Sequence, residues 1–149
     1  MTAFPSGVWG SHVETIEAVA PVLFERRELR VDSGGAGRMR GGLGQRIEVT
    51  AAGDQDVMLF LSVGRILNPA KGRHGGKDGA PGRIRIGEDG ADLPGKGEVR
   101  VPGSTTLVFE TPDGGGFRTP AERTNAAAAR DVKEGLVSPT GAATYGERT

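Results

Sequence analysis

The sequence predicts a mainly β protein: a compact, glycine-rich β-sandwich or barrel-like body with a short C-terminal helical tail. Three observations carry that expectation. Short apolar or alternating runs recur between Val22 and Glu110, each bounded by Gly, Pro or Asp. Glycine supplies 26 of 149 residues, more than twice the usual share of about 7%. Such a chain is either partly disordered, or full of turns with positive φ, or leaning on a partner for stability. Only the last segment, with "TNAAAARDVKEG", has a helical composition.

The elements follow in order. Pro21 interrupts any continuous helix through "VETIEAVAPVLFERRELRV", so a short extended segment is expected at Val13–Val19 and a strand at Val22–Val31. "QRIEVTAA" alternates, with Ile47 and Val49 on one face and Arg46 and Glu48 on the other. "DVMLFLSV" is almost wholly apolar and reads as the most buried strand. The connection "GRILNPAKGRHGGKDGAPG" is longer than an ordinary loop, which favours a functional or interface role. Ile84 and Ile86 share a face of "RIRI", and "EVRV" and "STTLVFE" are strands separated at Pro102–Gly103. In the tail, Thr124 or Asn125 caps a helix that Gly135 stops; Ser138–Pro139 starts a second. The expected organisation is an N-terminal arm over 1–21, a β-rich body over 22–116 and a helical tail over 117–149.

Composition narrows the function classes. The 36% hydrophobic and 5% aromatic content allows one modest core. The formal net charge of zero argues against a general nucleic-acid or membrane binder. With no cysteine there is no thiolate nucleophile and no Cys-based zinc site. No leader or membrane-length apolar run is read, which fits a cytoplasmic location. Charge is nevertheless uneven. Between Ser62 and Arg85 stand six Lys/Arg against one Asp, and between Ile86 and Gly116 six Asp/Glu against two Lys/Arg.

The stretch "DSGGAGRMRGGLGQR" (Asp32 to Arg46) resembles several nucleotide-binding patterns at first sight. It lacks the Lys-Ser/Thr pair of a phosphate-cradling loop and the third glycine of a dinucleotide fingerprint. "RGG" occurs once, not as a repeat. It therefore reads as a shaped structural turn made of Asp32, Ser33, Gly34, Gly35, Gly37, Arg38, Arg40, Gly41 and Gly42. Asp32 and Ser33 would bond nearby backbone N–H groups, and Arg38 and Arg40 would meet a carboxylate in the body or across an interface. His12 has no second ligand near it, and His74 is crowded by Lys71, Arg73 and Lys77, which would resist a metal cation. No catalytic residue, metal ligand or zinc site is assigned. Trp9, Arg65, Lys71, Arg73, His74 and Lys77 remain as candidate interface or anion contacts, with Phe4, Val8 and Trp9 as an arm that docks on a larger assembly.

Several words in order resemble the hydantoinase B/oxoprolinase family: "FPSGVWGSHVETIEAVAPVLFERRELRVDSGGAGRMRGGLGQ", "GGKDGAPG", "ETPDGGGF" and "RDVKEGLVSPTGAATYG". The resemblance covers the C-terminal part of such subunits. It implies an ATP-dependent hydrolase of a cyclic amide such as a hydantoin or 5-oxoproline. It also implies relationship to the large subunits of acetone- and acetophenone-type carboxylases. Family complexes use ATP and magnesium, and a divalent metal whose His and Asp ligands lie outside this region, so this chain would carry no cofactor of its own. The implied partners are the remaining hydantoinase B-type polypeptide and a hydantoinase A-type ATP-binding subunit, with the chain self-associating or complexed. "SVGRILNPAKG" departs from the Arg-rich, Trp-containing stretch of relatives. The alternatives to a structural, subunit-contacting C-terminal domain or split subunit are a truncated, repurposed binding module without catalytic role, or part of an acetone/acetophenone-type carboxylase.

Overall fold

The computed structural model describes residues 12–145. Its elements are helix α1 (Val13–Val19), strands β1 (Val22–Leu29), β2 (Gln45–Ala51), β3 (Val57–Ser62), β4 (Arg83–Ile86), β5 (Lys96–Val101) and β6 (Thr106–Glu110), then helices α2 (Asn125–Lys133) and α3 (Pro139–Ala142). A four-stranded antiparallel sheet has the order β1-β2-β6-β4, and β3 pairs with β5 in a separate two-stranded ribbon. The protein is mainly β with a small helical tail, and its sheets do not close into a barrel.

Alternation sorts the four-stranded sheet into two unlike faces. Pairing sets Phe24 beside Val49, Ile47 beside Phe109 and Val49 beside Leu107 on one face. Ile84 joins them opposite Phe109. A register shift between Phe24 and Arg26 puts Arg26 on the other face, beside Glu48. That second face carries an ion-pair ladder: Arg26–Glu48 at 3.6 Å, Arg46–Glu48 at 2.9 Å, Arg46–Glu110 at 3.7 Å and Arg85–Glu110 at 3.7 Å. Arg46 also bonds Glu88, which pulls that carboxyl below its usual range.

The apolar face meets the inner side of the ribbon, where Val57, Leu59 and Val101 point in. The two layers leave between them a wholly apolar cleft of about 330 Å³. The sandwich is thus incompletely filled by the described residues.

Three expectations need correction. Val13–Val19 is helical, not extended. Pro21 lies beyond the C-cap Ala20, which takes the extended conformation favoured before proline, so the ring bounds the helix instead of preventing it. Glu17 on α1 then accepts the Phe24 N–H at 2.7 Å, fixing the helix to β1. Nor is "VMLFLS" the most buried strand. Having one strand partner and one packed face, β3 exposes Met58 (47%) and Phe60 (75%). The deepest side chains are Ile84, Val101 and Val108. The expected strand to Val31 ends at Leu29.

Candidate functional site

Three glycine-rich segments, at 32–44, 70–82 and 111–118, pack together beyond the end of the sheet with little regular secondary structure. Their backbones bond one another. Gly35 N–H donates to Gly114 O at 2.9 Å, Lys77 N–H to Ala36 O at 2.7 Å, and Gly116 N–H to Lys77 O at 2.8 Å. Gly114 N–H returns to Gly42 O at 2.9 Å, and Ala80 N–H reaches Ser33 O at 3.1 Å. This satisfies buried peptide groups that a strand ladder would otherwise satisfy. Side chains are excluded by proximity: a Cβ on Gly41 would overlap the carbonyl of Gly114, and one on Gly76 that of Gly116.

The helical tail is tied to this backbone core by two carboxylates. Asp32 accepts the N–H of Ser138 at 2.8 Å, beside the Ser138 hydroxyl that accepts from Gly141. Asp131, 2% exposed, accepts from Arg40 Nε at 3.3 Å and from Arg123 at 2.5 Å. Arg123 also donates to Arg38 O at 2.9 Å and lies 5.4 Å over the Tyr145 ring. Burial there pushes the Tyr145 phenol up. The Thr124 hydroxyl accepts from Ala127 N, capping α2, and Gly135 follows at φ 69°.

At one end of the core the three segments display their bulky residues side by side. Met39 and Phe117 exchange backbone bonds at 3.1 and 2.9 Å, and Arg118 N–H donates to Arg73 O at 2.9 Å. His74 meets Phe117 edge-on at 5.0 Å, and the Arg118 guanidinium lies 5.7 Å over the same ring. His74 (φ 53°) and Arg118 (φ 62°) hold left-handed backbone conformations that cost a non-glycine residue energy and mark sites where position matters. A cavity of about 450 Å³ opens here, lined by Arg38, Met39, Phe117, Arg118 and Glu122 and by the first turn of α2.

The predicted contact residues separate. Arg73 and His74 stand on this apex with Arg38. Lys71 does not: it bonds Asp78 at 2.7 Å, which with the Gly72 N–H holds the Asp78 carboxyl below its usual range. Lys77 is exposed along the segment, and Arg65 lines a different, largely apolar cavity with Ile66, Leu67 and Leu93. Trp9, like Phe4 and Val8, lies outside the described residues. Within the turn, the local bond comes from Ser33, whose hydroxyl donates to Arg30 O at 2.6 Å, whereas Asp32 reaches Ser138, far along the chain. Of the two arginines expected to meet a carboxylate, Arg40 does and Arg38 does not, among the described residues. Met39, Phe117 and Arg118 are apex residues that the sequence reading missed; the signal was an arginine beside a bulky residue at each glycine run, as in "GRM", "GRH" and "GGGFR". Asp131 gave no signal at all.

Among the described residues no group of three or more His, Cys, Asp or Glu could hold a metal ion. Asp113, 4% exposed, has Arg30 at 3.3 Å, and burial pushes its carboxyl up against the opposing pull of Arg30, Ser33 and the Gly44 N–H.

A family model described as hydantoinase B/oxoprolinase matches residues 1–120. The chain belongs to this family. The match takes in all three glycine segments and stops before α2. Among the relatives of this chain, an uncharacterized protein of Methanocaldococcus jannaschii is 35% identical over 85% of this chain and 22% of its own length. The caprolactamase subunit beta of Pseudomonas jessenii is 34% identical over 87% of this chain and 23% of its own length. The crystal structure of the ATP-dependent caprolactamase from Pseudomonas jessenii superposes with a TM-score of 0.72, at 29% identity, over 91% of this chain and 24% of that one. A nucleotide-free acetone carboxylase structure shares the fold, with a TM-score of 0.62 at 19% identity over 89% of this chain and 22% of that one. The chain therefore spans less than a quarter of the length of the relatives it matches.

Proposed function

We propose that this chain is the C-terminal, structural portion of a hydantoinase B-type subunit in a cytoplasmic, ATP-dependent enzyme that opens a cyclic amide. Its work is to contact the rest of that assembly, while the reacting groups lie elsewhere. One observation carries the reading. The sandwich leaves its apolar cleft partly unfilled and presents Phe60, 75% exposed, on the outer side of the ribbon. Apolar surface of this kind is stabilised when another polypeptide covers it. The likeness to a caprolactamase subunit supports the choice of a lactam or a related ring. The rest of the hydantoinase B-type polypeptide would bring the divalent metal, and a hydantoinase A-type subunit the ATP and magnesium.

The test is reconstitution. The chain is purified alone and co-expressed with the remaining hydantoinase B-type polypeptide and its ATP-binding subunit. Each preparation is assayed for ATP-dependent opening of caprolactam, hydantoin and 5-oxoproline. Turnover is expected only from the assembly containing the chain. Turnover by the chain alone, or an assembly equally active without it, would overturn the reading.

A further inference from the structure

The arginines of this protein are not distributed evenly between paired and unpaired. Nine of them, Arg26, Arg30, Arg40, Arg46, Arg83, Arg85, Arg100, Arg123 and Arg130, lie within 4.0 Å of a carboxylate. Among the described residues Arg38, Arg65, Arg73 and Arg118 do not, and three of these four stand together on the apex. Most of the described arginines are thus paired, and the unpaired ones are concentrated at one place, which points to a cause outside the described residues.

The surroundings favour a protein partner over a small anion. Met39 is 65% exposed and Phe117 37%. Arginine, methionine and aromatic residues are the types enriched at the centres of interfaces. The backbone beneath is held by the glycine core, so contact has to order the side chains but not the segments that carry them. Glu122 is the one carboxylate lining the cavity, and among the described residues it forms no ion pair with the arginines. We infer that the apex is a docking surface for an acidic segment of the remaining hydantoinase B-type polypeptide, with Phe117 and Met39 seated at its centre. The inference rests on the assembly reading above and adds the chemistry of one contact.

The experiment uses the co-purified complex of the chain with that remaining polypeptide. Association is measured at about 50 and about 500 mM NaCl, a range that screens exposed charge strongly. Arg38→Glu/Arg73→Glu should weaken association about ten-fold or more, and added salt should weaken the unmodified complex but hardly the variant. Arg38→Gln/Arg73→Gln, a milder pair, should give a smaller loss in the same direction. Lys133→Glu, at the far end of α2, should leave association unchanged. Unfolding midpoints equal to the parent chain's show that the variants remain folded. If association survives both arginine pairs and high salt intact, the docking surface is wrong while the assembly reading stands. If the unmodified chain does not associate at all, both fall. Inorganic pyrophosphate is the remaining arm: saturable binding that shifts the Phe117 and His74 resonances, with association insensitive to it, would make the apex a small-anion pocket and overturn the inference.

Discussion

The carboxylate of Asp32 accepts the backbone N–H of Ser138 at 2.8 Å, joining the first glycine turn to the start of α3 across 106 residues. Asp32 is itself in the left-handed region, at φ 63°, a conformation that Asn and Asp tolerate better than other side chains. Asp32→Ala removes the cap and leaves the strain, and should cost about 1–2 kcal/mol. Asp32→Asn should cost far less. Chemical denaturation compares the two; equal midpoints for parent and Ala variant would refute the cap.

Gly41 and Gly42 are neighbours in sequence and opposites in environment. A Cβ at Gly41 would overlap the Gly114 carbonyl, a backbone group that cannot swing away, whereas one at Gly42 meets nothing within 4 Å. Gly41→Ala should therefore destabilise by about 2–3 kcal/mol or prevent folding. Gly42→Ala should be nearly neutral. Thermal unfolding of both variants checks this, and comparable losses would show that the backbone packing is not the reason.

Asp131 lies between two arginines in a nearly dry site, with side-chain exposures of 3% for Asp131, 14% for Arg40 and 9% for Arg123. Truncation to Ala would leave both cations without their carboxylate. The expected cost is about 3–5 kcal/mol, the usual penalty for breaking a buried pair from one side. Protection of α2 amides should fall with it in hydrogen exchange. A small loss confined to α2 fraying would contradict this.

Asp113 should give a pH signature of unusual sign. Burial raises its carboxyl, with Arg30 opposing. The unfolded Asp ionises near a pKa of about 3.9. Below that value both states hold the proton and the group is neutral to stability. As pH rises from there through the raised folded value, the unfolded state loses its proton first and native stability falls. Above the folded value the loss is complete. The stability of the parent chain minus that of Asp113→Asn should therefore decline across this window. A difference that stays flat or climbs would mean that Arg30 outweighs burial.

How much of this was legible beforehand differs by element. Alternation placed Ile47 and Val49 opposite Arg46 and Glu48, because side chains on a strand have a period of two whatever the strand pairs with. The cap at Ser138 was legible, and the one at Thr124 was narrowed to Thr124 or Asn125, because the hydroxyl and the N–H that donates to it are three residues apart. Burial of "VMLFLS" was not, since an apolar run does not disclose whether one or two layers will cover it.

By itself, then, the sequence determined the local chemistry: strand faces, the starts of α2 and α3, the glycine turns and the family words. The tertiary structure alone decided which glycine run lies on which, that Arg40 is paired and Arg38 is not, and that Arg73, His74 and Phe117 share an apex. The physical reason is range. Caps and alternation act over a few residues and leave a periodic trace in the sequence. The contacts that build the apex join segments about 35 to 80 residues apart through peptide groups, and every residue carries the same peptide group.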